Sequence, residues 1–163
     1  MSDDVVVRTE LRVGDIGAVI ALHGRLYAAL CGWDHAFEAY VAATLGESMP
    51  RFDPRRERLW LVEKGTELLG CLGIVSRGPE SAQLRWFLLD PSLRGRGLGR
   101  RLLNDALAFT RAVGYRHVML WTTPGLPESA HLYEVVGFRK TEVKPGCPWS
   151  PSLAEERYDL TLG

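Results

Sequence analysis

The feature that constrains this chain most is a strand, a glycine-rich turn and a helix in immediate succession, between residues 84 and 114. The apolar run LRWFLL (84–89) ends at Asp90-Pro91, which is typical of a buried strand that stops at a turn. The sequence RGRGLGRR (94–101) follows, with glycines at alternate positions. An apolar series with helical spacing then extends to Gly114, a residue suited to the end of a helix.

This succession predicts a site for a phosphorylated ligand. The first N–H groups of a helix have no partner inside the helix, and the helix dipole favours negative charge there. Glycines let the backbone approach an anion closely, and arginines add charge and paired hydrogen-bond donors. The alternative is an ordinary strand-to-helix turn whose arginines are only solvated.

The spacing of the glycines selects among phosphate-binding loops. The dinucleotide fingerprint G-x-G-x-x-G fails because Arg100 stands where the third glycine belongs, and no G-x-x-x-x-G-K-[ST] segment is present. The pattern that remains is Arg94-x-x-Gly97-x-Gly99 after a strand. It resembles the acyl-coenzyme A pyrophosphate loop of the GCN5-related N-acetyltransferase (GNAT) superfamily.

Hydrophobic periodicity and turn residues predict the order β-α-α-β-β-β-α-β-α-β-β. The predicted strands cover about residues 5–10, 59–62, 68–75, 81–89, 117–123 and 138–143, and a closing strand runs from Leu153 or Tyr158 to Leu162. Asp15 is the predicted N-cap of the first helix, and Trp33-Asp34 starts the second. The order matches the GNAT superfamily. The resemblance implies an α/β (α+β) fold in a single domain, 1–163: a mixed, mostly antiparallel sheet of six to seven strands flanked by about four helices.

Four further segments carry the resemblance. SAHLYEVVGF (129–138) is similar to the superfamily segment N-x-x-A-x-x-L-Y-x-x-x-G-F, with serine at the start. HGRLY (23–27), GWDHAFE (32–38) and LWTT (120–123) are similar to acetyltransferase domains fused to MarR-type regulators. Leu30 and Cys31 stand where many of those domains carry an acidic residue and an aromatic residue, so a shared acceptor is in doubt.

The resemblance implies an N-acetyltransferase that transfers an acetyl group from acetyl-CoA directly to a primary amine of a small molecule or protein. The implied cofactor-binding residues are Leu88, Leu89, Arg94, Gly95, Arg96, Gly97, Leu98, Gly99, Arg100 and Ser129. Tyr133 stands at the position of the general acid, and the alternative is a core tyrosine. Trp33, Asp34 and Glu38 are expected to border the acceptor site, or else only to pack and cap the second helix.

The general base is not identifiable from the sequence, because residues 83–89 contain no carboxylate. The candidates are Glu80, Asp34, His35, Glu38 and His23, and proton transfer through water would leave no trace. A non-catalytic acyl-CoA sensor or scaffold therefore remains as the alternative function.

Composition and charge limit the other functions and locations that the chain could have. A formal net charge of zero argues against nucleic acid as the partner. Three separated cysteines without C-x-x-C, and histidines without ligand spacing, predict neither disulfides nor a metal site. The start MSDDVVVRTE has no signal-peptide pattern, and no apolar run approaches the ~20 residues of a membrane helix. We predict a cytoplasmic monomer or homodimer.

Overall fold

Seven strands in the order β1-β2-β3-β4-β5-β7-β6 form one sheet in the computed structural model, which describes residues 4–163. The strands are β1 (Val5–Arg8), β2 (Arg58–Lys64), β3 (Glu67–Ser76), β4 (Ser81–Leu89), β5 (His117–Thr122), β6 (Arg139–Lys144) and β7 (Glu155–Thr161). The helices are α1 (Asp15–Cys31), α2 (His35–Ser48), α3 (Leu98–Val113) and α4 (Pro127–Val135). Among the described strands, only β4 and β5 pair in parallel. The predicted order of elements and the mixed, mostly antiparallel sheet are confirmed.

The helices cover both faces of the sheet, because alternate side chains of a strand point to opposite faces. In β2, Leu59 and Leu61 pack with α1 and α2, whereas Trp60 and Val62 pack with α3 and α4. The apolar series of α3 that the sequence indicates is buried against the second face. Within residues 4–163, no helix combines the length and the apolar content needed to cross a bilayer.

The start of α1 differs from the prediction. Gly14, with φ of 95°, is the N-cap, and Asp15 is the first helical residue and makes no capping bond at that position. The Asp15 carboxylate instead accepts hydrogen bonds from the Arg8 guanidinium at 2.8 Å and from the Arg12 N–H at 2.6 Å. The bond from Arg8 lowers the pKa of Asp15. The Asp15 carboxylate therefore forms an ion pair with Arg8 of β1 and does not cap α1.

Strands β4 and β5 separate after a short paired segment. Three register pairs join them, namely Ser81–His117, Ala82–Val118 and Gln83–Met119. Beyond these pairs no further register pair connects β4 to β5 in the described chain, although both strands continue. The last six residues of β4 therefore leave one backbone edge open, and a wedge-shaped gap lies between the strands.

A β-bulge lies in this open part of β4. Trp86 and Phe87 together stand opposite Leu72, since Arg85 pairs with Gly73 and Leu88 pairs with Cys71. Trp86 has φ of 52°, and its indole Nε1–H donates to Thr44 Oγ1 at 3.0 Å. A Cβ at Gly73 would lie 2.6 Å from the Trp86 ring, so only glycine leaves room for that ring.

The bulge changes which face of the sheet each β4 side chain occupies. Leu84 packs on the side of α3, and two residues later a regular strand would place Trp86 on the same side. Trp86 and Leu88 instead pack on the side of α1 and α2, whereas Phe87 and Leu89 pack on the side of α3. The sequence analysis did not predict this bulge.

Candidate functional site

A cleft of about 680 Å³ opens along the free end of β4 and reaches the glycine-rich loop. We call it the glycine-loop cleft. Its walls come from Phe87–Leu89, residues 93–95 and 97–100, the start of α4 and the end of α1. It is lined by nine of the ten residues predicted to bind the cofactor: Leu88, Leu89, Arg94, Gly95, Gly97, Leu98, Gly99, Arg100 and Ser129.

The loop presents a run of free backbone donors to this cleft. Gly97 is the N-cap of α3, and the first helical hydrogen bond runs from the Arg101 N–H to the Gly97 carbonyl. None of the six N–H groups from Gly95 to Arg100 has an acceptor within residues 4–163. Gly95 and Gly97 have φ of 78° and 67°, which is why the two positions favour glycine. Such a run attracts an anion strongly.

The arginines contribute unequally to the glycine-loop cleft. Arg94 lies at its edge, with Nε 3.7 Å from Glu128 Oε2, and 59% of its side chain is exposed. The side chain of Arg96 is exposed to solvent and does not line the cleft. Only its backbone N–H belongs to the free run.

A second, smaller cavity of about 140 Å³ lies in the gap between β4 and β5. We call it the aromatic pocket, because rings from α1, α2, both strands and the loop before β7 line it. Residues 83–87 and 120–123 form its strand walls. Tyr27, Phe87, Leu126 and Ser129 line both cavities, so the two are adjacent.

Tyr133 lies in the wall of the aromatic pocket. The residue is 5% exposed, and its ring contacts those of Phe87, Phe138 and Tyr158 at centroid distances of 5.9–6.2 Å. Its hydroxyl has no hydrogen-bond partner among the described residues, and burial raises its pKa. The phenol is therefore protonated at neutral pH and free to donate into the pocket.

The three residues predicted to border the acceptor site separate in the structure. Trp33 lines the aromatic pocket and stacks on Tyr27, with the ring centroids 5.0 Å apart. Asp34 is exposed and caps α2, its Oδ1 accepting from the Ala36 N–H at 2.9 Å. Glu38 is exposed and packs over Gly24, where any side chain would collide with it. Neither acidic residue lines either cavity.

This geometry gives a first prediction for Asp34. Asp34→Ala should lower the free energy of unfolding by about 1 kcal/mol, because the Ala36 N–H loses its cap. Asp34→Asn, whose side-chain oxygen still accepts, should lose less. Chemical denaturation measures both changes. A weaker affinity of the aromatic pocket for its ligand in a folded Asp34→Asn protein would contradict a purely capping role.

Only one of the candidate bases named from the sequence lines the aromatic pocket, and that residue is His23. It is 4% exposed, and its Nδ1–H donates to the Val19 carbonyl at 2.8 Å. Burial lowers its pKa to about 4, so the ring is neutral at pH 7. Glu80 is exposed and faces Arg116 at 3.7 Å, and His35 is exposed on α2.

The sequence analysis missed several residues of the aromatic pocket, and those with the most chemical interest are Arg85, Trp149 and Glu155. Arg85 precedes the bulge, Trp149 lies in the loop before β7, and Glu155 begins β7. Burial lowers the pKa of Arg85 and raises the pKa of Glu155. Only the fold brings these segments together. The one local signal was the isolated Gly73 in a strand, which indicates a bulge or a close approach.

Comparison with known families matches residues 26–138 to the acetyltransferase (GNAT) family. Among similar proteins, the Escherichia coli (strain K12) protein named uncharacterized N-acetyltransferase YjgM is 35% identical over 91 residues, covering 54% of this chain and 54% of that protein. Mycothiol acetyltransferase of Acidothermus cellulolyticus is 31% identical over 157 residues, covering 85% of this chain and 46% of that protein. The chain spans about half the length of these curated relatives.

Solved structures share the fold. The structure of yncA from Salmonella typhimurium with its cofactor acetyl-CoA superposes with a TM-score of 0.70. The match covers 98% of this chain and 94% of that chain at 16% sequence identity. At this identity the likeness shows a common fold alone.

Proposed function

Because the chain belongs to the acetyltransferase (GNAT) family, we propose that it is an N-acetyltransferase that moves an acetyl group from acetyl-CoA to a primary amine. The observation that carries the proposal is the run of six free N–H groups from Gly95 to Arg100 at the end of an open strand. A ligand with an anionic group and an extended arm that carries amides matches that combination.

The residues of the glycine-loop cleft fit coenzyme A. The N–H groups from Gly95 to Arg100 would bind the pyrophosphate, with the side chains of Arg94 and Arg100 beside it. Leu88 and Leu89 would hold the pantetheine arm through the open backbone edge of β4, much as an added strand would pair. Ser129, in the wall between the two cavities, would offer a hydroxyl. The bound thioester supplies an activated acetyl group.

Tyr133 suits the role of general acid. A departing thiolate requires a proton, and a phenol with a raised pKa holds one at every physiological pH. The hydroxyl has no competing partner in the described chain and shares the aromatic pocket with Ser129. Trp33 would form part of the acceptor pocket next to it.

Two measurements test this function together. Calorimetry with acetyl-CoA and with free coenzyme A measures binding, and thiol release in the presence of a panel of primary amines measures turnover. We expect binding of both ligands and amine-dependent thiol release. Binding without thiol release across the panel would support a non-catalytic acyl-CoA sensor or scaffold, and no binding would refute both functions.

We also infer that residues 1–163 act as one domain. The support is that all seven strands, from β1 to β7, belong to a single sheet. The likeness of residues 23–38 to domains fused to MarR-type regulators remains a prediction. Leu30 and Cys31 line the glycine-loop cleft rather than the aromatic pocket. Because these two residues differ from those of the fused domains, the difference affects the wall of the glycine-loop cleft and not the aromatic pocket.

A further inference from the structure

One side of the aromatic pocket is a cluster of packed rings. Trp33 stacks on Tyr27, and Trp149 contacts Trp33, Phe37 and Tyr40 with centroid distances of 4.9–5.2 Å. Packed rings of this kind bury apolar surface and also attract a cation to their faces. Such a wall suits a ligand that has a flat or bulky apolar body and carries a positive charge.

Glu155 is the one acidic residue that lines this wall in the described chain. The residue is 9% exposed, and nothing in residues 4–163 forms an ion pair or a hydrogen bond with its carboxylate. It begins β7 beside the last residues of β5, because Thr122 pairs with Glu156. A carboxylate in a half-buried pocket wall loses part of its hydration, so a cation or a donor that enters the pocket stabilises it.

The charged and titratable groups around Glu155 come from four neighbouring segments. Burial raises the pKa of Glu155, and the positive charges of Lys144 on β6 and Arg85 on β4 oppose that rise. Tyr40 on α2 lies near both Arg85 and Glu155. Burial raises the pKa of Cys147, and the nearby Glu155 carboxylate adds to that rise. Neither Lys144 nor Arg85 forms an ion pair or a hydrogen bond with the Glu155 carboxylate in residues 4–163.

The pocket is too small and too weakly charged for a polycation. Its volume of about 140 Å³ is close to the ~150 Å³ engineered cavity that holds one benzene ring. A polyamine would bring several charges to a single carboxylate beside an arginine. A single ammonium group on a body of about one ring meets one carboxylate and the aromatic wall.

We propose that the acceptor is a primary amine on a small apolar body, and that Glu155 binds its ammonium group and removes the proton. This inference rests on the proposed acetyl transfer. The ammonium gives one proton to the Glu155 carboxylate, and the nitrogen lone pair then forms the C–N bond as the C–S bond of the thioester breaks. The thiolate takes the hydroxyl proton of Tyr133. The second proton of the new amide nitrogen returns to the tyrosinate, and Glu155 releases its proton to water. The net products are an amide, a free thiol and one proton.

The first test measures amine binding without turnover. Trp33 and Trp149 line the pocket, so their fluorescence reports its occupancy. Benzylamine should bind to the wild-type protein more tightly than benzyl alcohol, its neutral counterpart, and more tightly than spermidine. Glu155→Gln should weaken benzylamine about 10- to 100-fold, the effect of losing one charged hydrogen bond. It should leave benzyl alcohol and acetyl-CoA unchanged, which also shows that the variant is folded.

The second test measures the pH dependence of turnover. In the wild type, kcat/KM should rise with pH as Glu155 loses its proton, and the midpoint should lie above the ordinary range of glutamate because burial raises the pKa. Glu155→Gln should lower kcat/KM about 10²- to 10⁴-fold and abolish the rise of kcat/KM with pH. Glu156→Gln is the matched control, since Glu156 pairs with Lys140 and lines neither cavity.

Three results would overturn the assignment. If benzylamine bound equally to the wild type and to Glu155→Gln, Glu155 would not bind the ammonium group. If spermidine bound more tightly than benzylamine, the acceptor would not be an amine on a small apolar body. If the rise of kcat/KM with pH disappeared in His23→Asn but not in Glu155→Gln, His23 would be the base. Asparagine is the substitute because its side chain can still donate to the Val19 carbonyl. Benzylamine binding without thiol release from any amine would refute the proposed function instead, while the binding comparison would still decide the role of Glu155.

Discussion

Gly97→Val is expected to reduce the affinity for acetyl-CoA on the order of 100-fold, the loss of about two charged hydrogen bonds. Gly97 lines the glycine-loop cleft, and a Cβ there meets no protein atom within 4 Å. The added methyl groups therefore occupy the space in front of the free N–H groups, where a phosphate oxygen would lie. A branched side chain at φ of 67° also strains the loop.

Strain and steric exclusion can be separated with Gly14→Val. Gly14 is the N-cap of α1, has φ of 95°, and likewise has open space at its Cβ position, but it lies outside both cavities. Both variants should lose similar stability in chemical denaturation. Calorimetry should show that only Gly97→Val loses acetyl-CoA binding. Equal affinity in a folded Gly97→Val protein would move the pyrophosphate away from this loop.

Tyr133→Phe is expected to lower kcat about 10²- to 10⁴-fold while the affinity for acetyl-CoA changes little. The substitution removes only the hydroxyl, so the ring keeps its contacts with Phe87, Phe138 and Tyr158. The hydroxyl has no partner in the described chain, and stability should therefore hardly change. Steady-state kinetics with saturating amine measures the effect.

The control for Tyr133 is Tyr158→Phe. Tyr158 is a buried neighbour that is 2% exposed and lines neither cavity, so its hydroxyl should not affect kcat. The defect of Tyr133→Phe should also shrink with an acyl donor whose thiol is more acidic, because a less basic thiolate requires the proton less. If Tyr133→Phe turned over at the wild-type rate when chemistry limits kcat, water or another group would be the acid.

The order of the elements could be predicted because each boundary has a local chemical cause. Lys64-Gly65-Thr66-Glu67 separates two apolar runs and forms the turn between β2 and β3. The loop from Arg94 to Arg100 could be predicted as a unit for the same reason, since the residues that line the glycine-loop cleft there are contiguous in sequence.

The aromatic pocket could not be predicted in the same way. Tyr27, Trp33, Arg85, Trp149 and Glu155 come from five segments, and their meeting depends on how α1, α2 and the loop before β7 pack over the sheet. Nothing in the sequence around Glu155 distinguishes it from Glu156, which pairs with Lys140 instead. To decide which of these two adjacent carboxylates lines the pocket, one must know which face of β7 each side chain occupies.

The bulge at Trp86 and Phe87 makes the number of residues in β4 as important as their identity. Two residues stand opposite Leu72, and every side chain beyond them is out of phase with those before. A substitution at Phe87 changes one contact, but deletion of a single residue here would remove the bulge and leave one residue, on the side of α3, opposite Leu72. Leu88 would keep its face, and the wall of the aromatic pocket would lose either Trp86 or Phe87. In this strand, insertions and deletions therefore carry more functional consequence than substitutions. An alignment that places a gap between residues 84 and 88 marks a protein with a different cleft.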